Sequence, residues 1–235
     1  MLKRLRIGAS IAPLLLAIAG PAHAAELTIT ITNLTNGIYY TPFLVAAHTE
    51  DSRIFRSGEA ASPSLQAMAE GGDIAGLVTD LTGIGATLVE NPAGGLLAPT
   101  ESTTTTMNTD GTDNVRLSVV AMLLPTNDAF MGLNGILIPS EPGTYTYNVN
   151  AYDAGTEAND EIVNGGGAPG VPGIPAAPGG SGTGATGAAG PDNNQTVHIH
   201  RNTLGDLDNV GGVSDLDSRI HRWLNPVARV TVVVE

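Results

Sequence analysis

Val115-Arg116-Leu117-Ser118-Val119-Val120-Ala121-Met122-Leu123-Leu124 decides the fold class. Val115, Leu117, Val119, Ala121 and Leu123 fall on one face of an extended chain, whose side chains alternate with a period of two. The other face carries Val120, Met122 and Leu124, so it too is apolar toward the end. A strand apolar on both faces is covered on both faces, which places it in the middle of a sheet. The flanking segments fit that frame. Glu26 to Thr32 alternates apolar and hydroxyl residues, and Leu27, Ile29 and Ile31 share a face. Residues 38–45 read as a strand that Pro42 interrupts, because proline cannot donate to a ladder. Thr103 to Thr106 has the β propensity of an edge. Residues 133–138, 144–151, 195–200 and 228–234 complete a series of short strands separated by turn residues. That series argues for an all-β, antiparallel β-sandwich.

Residues 62–90 depart from the pattern. Ser62-Pro63 is an N-cap followed by proline at the first helical position. Leu65, Met68 and Ala69 follow at helical spacing, and Gly71-Gly72 stops the turn. Ile74, Leu77, Val78 and Leu81 repeat the spacing. The sandwich therefore carries one or two short helices in an early connection. Residues 164–193 depart differently. The stretch is dense in glycine and proline and has no charged side chain through residue 191. It offers too little apolar surface to order itself and reads as a disordered Gly/Pro-rich insertion within one domain, residues 25–235.

The N-terminus reads as an export signal. Lys3, Arg4 and Arg6 precede an apolar run from Ile7 to about Ala19, and Ala22-His23-Ala24 supplies the small residues of a cleavage site after Ala24. The run is shorter than the ~20 residues that span a bilayer. Residues 1–24 are expected to be removed, leaving a secreted or periplasmic domain with no membrane insertion. The chain has a formal charge of −13, and the signal holds three of its ten basic residues. So acidic a domain repels nucleic acid. The absence of cysteine excludes disulfides, thiol catalysis and thiolate metal sites.

Acids gather at the ends of two strands. Asp128 follows the 115–124 strand, and Asp153 and Glu157 follow the 144–151 strand around Gly155. If those strands are neighbours, the three carboxylates meet at one end of the sandwich. Calcium takes about six to eight oxygens, so this is a candidate metal site; a solvated acidic loop fits the residues equally well. Asp206 to Asp217 echoes an EF-hand loop but lacks its terminal glutamate and reads better as a solvated turn. His198 and His200, two apart on a strand, face one side, and with His221 they form a weaker candidate for a transition metal. Asn33 and Asn194 stand in glycosylation acceptor sequences. No Gly-x-Ser-x-Gly, phosphate-loop or His-Glu-x-x-His pattern is present.

Three motifs in order carry a family resemblance. They are Leu124-Pro125-Thr126-Asn127-Asp128-Ala129-Phe130-Met131-Gly132, then Tyr152-Asp153-Ala154-Gly155-Thr156-Glu157, then Asn225-Pro226-Val227-Ala228-Arg229-Val230-Thr231-Val232. Together they resemble the spondin N-terminal domain over roughly residues 26–235. The resemblance implies a C2-like sandwich that binds one calcium through Asp128, Asp153 and Glu157, in adhesion or matrix proteins. Glu157 stands where the family has aspartate, and Ala129 where it has an aromatic. The expected function is a non-catalytic, calcium-binding module whose partner is an extracellular protein or polysaccharide. A hydrolase using the histidines or acids, and a structural surface component without a specific ligand, are the alternatives.

Overall fold

The computed structural model of the protein describes residues 26–180, 184–188, 194–208 and 210–235. Residues 1–24, read above as an export signal, and part of the Gly/Pro-rich stretch lie outside the described residues. In chain order the strands are β1 (Glu26–Asn33), β2 (Tyr39–Tyr40), β3 (Leu44–His48), β4 (Thr87–Glu90), β5 (Ser102–Asn108), β6 (Arg116–Leu124), β7 (Ala129–Leu137), β8 (Gly143–Asp153), β9 (His198–Ile199) and β10 (Ala228–Val234). Two helices, α1 (Pro63–Gly71) and α2 (Ala75–Gly83), lie between β3 and β4. The strand path runs β4-β3-β6-β7-β8-β10-β1-β5 and is antiparallel throughout. Its two end strands, β4 and β5, come into contact, so the sheet is nearly closed into a sandwich.

β8 joins the two layers. Its first part, Gly143 to Val149, pairs with β10, and its last part, Asn150 to Asp153, pairs with β7. Inside the sandwich, Leu27, Ile29 and Ile31 of β1 and Val230 and Val232 of β10 meet Leu117, Val119, Ala121 and Leu123 of β6. The outer face of β6 is covered as well. Val120, Met122 and Leu124 pack with Leu65, Met68 and Ala69 of α1 and Leu77 and Leu81 of α2. The central position read from residues 115–124 is what the structure shows, with the helices supplying the second cover. The break at Pro42 separates β2 from β3, and residues 103–106 lie in an edge strand.

The helix signals act as read. Ser62 Oγ accepts the Leu65 N–H at 3.1 Å, Pro63 opens α1, and Gly72 closes it in the left-handed region at φ +72°. Here only a residue without Cβ fits: a methyl on Gly72 would lie 2.8 Å from the Thr41 side chain. Strand extent differs in several places, and β4 (Thr87–Glu90) is a strand inside the stretch 62–90 set apart above as helical. The strand read at 133–138 begins at Ala129, and the one read at 195–200 shrinks to His198–Ile199.

The Gly/Pro-rich stretch is held at several points in its described part. Ile174 is fully buried in the outer core with Val197 and Leu216, and its N–H bonds the Ile162 carbonyl at 2.8 Å. The Gly170 and Gly173 amides donate to the buried carboxylates of Glu70 and Glu157. Composition suggests a flexible insertion because glycine and proline bury little apolar area. Bare backbone amides nevertheless bond well to buried acceptors, and one apolar anchor suffices between them.

Two substitutions test this packing. Met122→Ala, under the helices, is expected to cost about 2–5 kcal/mol, as for other buried methionines cut to alanine. Ser62→Ala, which removes one cap bond, is expected to cost about 1 kcal/mol. Chemical denaturation of both variants checks the ranking.

Candidate functional site

The alternation of β8 builds the site. Val149, Ala151 and Asp153 face inward, and the first two join the sandwich core. The third inward position is therefore a carboxylate, buried to 1% exposure. Asp128 immediately precedes β7, whose first residue, Ala129, pairs with Asp153. The Ala154 N–H bonds the Asp128 carbonyl at 3.2 Å, which closes the junction. Asp128 is fully buried and Glu157 nearly so. The structure thus sets Asp128 beside Asp153 across the β7–β8 pairing and against the Glu157 backbone amide.

Their oxygens are unevenly satisfied. Asp128 Oδ2 accepts the Thr156 N–H at 2.8 Å, the Glu157 N–H at 3.1 Å and the Thr156 hydroxyl at 3.2 Å. Asp128 Oδ1 is buried with no hydrogen-bond partner. Glu157 repeats the pattern: Oε2 accepts the Gly173 N–H at 3.1 Å and the Asn127 amide at 3.3 Å, and Oε1 is buried and unpartnered. Asp153 is better served, with Oδ1 accepting the Gly155 N–H and Oδ2 the Asn159 amide, each at 2.8 Å. Orphaned buried acceptors are rare because each loses its water without replacement.

Charge is equally unbalanced. Burial, with the Asp153 charge second, pushes the Asp128 carboxyl up to about 7. Burial pushes Glu157 up to about 7 as well, with smaller contributions from the charges of Glu70 and Asp128. Among the described residues, the basic groups paired with these carboxylates are two histidines. Nε2 of His198 and Nε2 of His200 each lie 3.8 Å from Asp153 Oδ2. The His200 ring is engaged at both nitrogens: Nδ1 accepts the Asn202 N–H at 2.9 Å, and Nε2 bonds Asn159 Oδ1 at 3.0 Å. It also packs against the Trp223 ring.

The other candidates do not join. His221 lies apart, its Nδ1 accepting the Asp217 N–H at 3.0 Å. Asp206 accepts backbone amides from Asp208, Val213 and Ser214, which lower its pKa, while Arg219 beside Asp217 holds that carboxyl down at about 2. Some of these residues line a cavity of about 340 Å³ with Tyr39 and Ile220, which none of Asp128, Asp153 and Glu157 touches. Its carboxylates are already supplied with donors, so the unmet demand lies at the buried cluster instead. Among the described residues, no three or more His, Asp or Glu side chains are placed together so that they could hold a metal ion. An ion at the cluster would draw further oxygens from backbone or water, as calcium ordinarily does.

A family model for Spondin_N matches residues 32–162, more than half of the chain. The chain belongs to the Spondin_N family. The match contains Asp128, Asp153 and Glu157 and ends before β10, so the third motif read from sequence lies outside it. Spondin N-terminal domains are extracellular in general and are not a known enzyme family. No curated protein matches the chain. No helix among the described residues is long and apolar enough to cross a membrane.

Residues that sequence reasoning missed brace the acidic cluster. Asn127 bridges Glu157 and Asp160 through its amide and accepts the Glu161 N–H at 3.1 Å. Glu161, buried, accepts the Leu204 and Gly205 amides and the Ser214 hydroxyl. Glu70 is buried on α1.

The two raised carboxyls fix the sign of a pH dependence in metal-free protein. An acid whose folded pKa exceeds its unfolded value holds more protons when folded, so stability falls as pH rises between the two. The window runs from the ordinary carboxylate range near 4 to about 7. Thermal melting in chelator is expected to give a lower Tm at pH 8 than at pH 5, and Asp128→Asn is expected to flatten the difference.

Proposed function

We propose that this spondin-family domain is an exported, non-catalytic module that binds one calcium ion through Asp128, Asp153 and Glu157, and that it serves adhesion or attachment to a surface or matrix. The observation that carries the reading is the pair of buried, unpartnered oxygens, Asp128 Oδ1 and Glu157 Oε1, in a cluster without an arginine or lysine partner among the described residues. A carboxylate held in that way is either protonated or neutralised by a cation. A hard divalent ion suits a set made only of oxygen donors. Its charge would offset the mutual repulsion of the carboxylates and fasten the turn before β7 to the loop after β8. The Spondin_N membership supports an extracellular setting.

The engaged ring of His200 supports the non-catalytic part. A histidine whose two nitrogens are both committed to hydrogen bonds is not poised to take a proton from a substrate. A protein or polysaccharide partner fits an attachment role, and the ion would order the loop end at which such a partner docks.

Calcium titration with thermal melting tests the metal. A ligand that binds only the folded state raises Tm, by about 2.7 kcal/mol of stability at a hundredfold excess over Kd. The expected result is a calcium-dependent rise at pH 7.5 that Asp128→Asn or Asp153→Asn largely removes. Identical melts with calcium and with chelator would end the proposal.

A further inference from the structure

Glu70 sits in α1, fully buried, 87 residues before Glu157 in sequence yet close enough for its charge to act on Glu157. Its Oε1 accepts the Gln66 amide at 2.8 Å from one turn earlier, and its Oε2 accepts the Gly170 N–H at 2.6 Å. Three residues on, the Gly173 N–H donates to Glu157 Oε2. Residues 164–175 therefore form a strap gripped by one carboxylate and gripping the next. The strap lies directly on the end of α1: a methyl on Gly71 would sit 2.1 Å from the Gly167 carbonyl oxygen. Gly173 takes φ +112°, and a Cβ there would meet Asn164 Oδ1 at 1.9 Å, so the turn that aims its amide at Glu157 excludes other residues. Buried Ile174 fastens the strap just beyond.

We infer that Glu70 is a positioning residue for the cation, acting through the 170–173 backbone to hold Glu157 with Oε2 bound to Gly173 and Oε1 free for the ion. The inference rests on the cation reading above and adds a residue outside its three ligands. A glutamate has one more rotatable bond than aspartate, and an unrestrained Glu157 loses that freedom when it binds. Fixing it beforehand removes the cost from the binding step. The strap supplies this restraint, and Glu70 holds the strap.

Amide hydrogen exchange over residues 170–174 and calcium affinity by calorimetry test the inference on the full chain. Glu70→Leu removes the grip; Glu70→Gln keeps an acceptor for Gly170, and the Gln66 amide can turn to accept its NH₂. Glu70→Leu is expected to speed exchange about tenfold and weaken calcium about tenfold, as local opening and lost preorganisation require. Glu70→Gln is expected to restore strap protection and recover most of the affinity. A merely structural role would lower the Tm of both variants while leaving calcium affinity alike. Gln66→Ala frees one oxygen of Glu70 without placing an apolar group under the strap, so it reads the same effect, smaller, should Glu70→Leu fail to fold. Wild-type affinity in Gln66→Ala and Glu70→Leu overturns the inference, as does a Glu70→Gln no tighter than Glu70→Leu. Wild-type protein that gives no calcium heat overturns the metal reading and this inference with it, a result distinct from a wild type that binds and variants that match it.

Discussion

One buried oxygen pattern governs the functional end of this domain: Asp128 bonds two backbone amides through Oδ2 and nothing through Oδ1. The bonded oxygen ties the turn before β7 to the loop after β8, and so fixes where Glu157 begins. The unbonded oxygen is buried without a donor, a state that either protonation or a cation relieves. Asp153 adds a second carboxylate at the same junction because the β8 alternation continues one position beyond the apolar core. The sandwich supplies rigidity at that point, since β8 is paired to β10 in one layer and to β7 in the other. Carboxylates brought together by loops alone would move apart; here two of them stand at the ends of paired strands.

The legible and illegible parts of the sequence divide along physical lines. Residues 115–124 announced a doubly covered strand because apolarity on both faces has one structural meaning. Ser62-Pro63 and Gly71-Gly72 announced α1 because caps are local. Asp128, Asp153 and Glu157 could be read as candidates because each follows a strand whose neighbours could be guessed, and the β7–β8 pairing sets the first two at one junction. Glu70 was out of reach. It lies off the apolar stripe of Leu65, Met68 and Ala69, so helical periodicity turns it toward solvent. What covers it is the strap, about a hundred residues later in the chain. Asn127 and Glu161 were missed for the same reason, since each is buried by long-range polar bonds that leave no period in the sequence.

The described part of the Gly/Pro-rich stretch makes contacts that its composition does not announce. Low apolar content argues against order when order comes from hydrophobic burial. Here the described part of the stretch is anchored by one isoleucine and by amides bonded to carboxylates already buried. The glycines are then conformational requirements, at Gly173 and at the close approach of Gly167 to Gly71. Acidic cluster and strap explain one another: the carboxylates give the strap its acceptors, and the strap shields the carboxylates from water.

The meeting of β4 with β5 has a consequence for how this molecule can be engaged. Thr103 of β5 donates its hydroxyl to the Pro92 carbonyl just past β4, so the two borders of the sheet are stitched to each other. A long unpaired border is what lets a foreign strand zip onto a sheet, or lets copies of a chain stack edge to edge. With its borders turned toward one another, this domain offers little template for such addition.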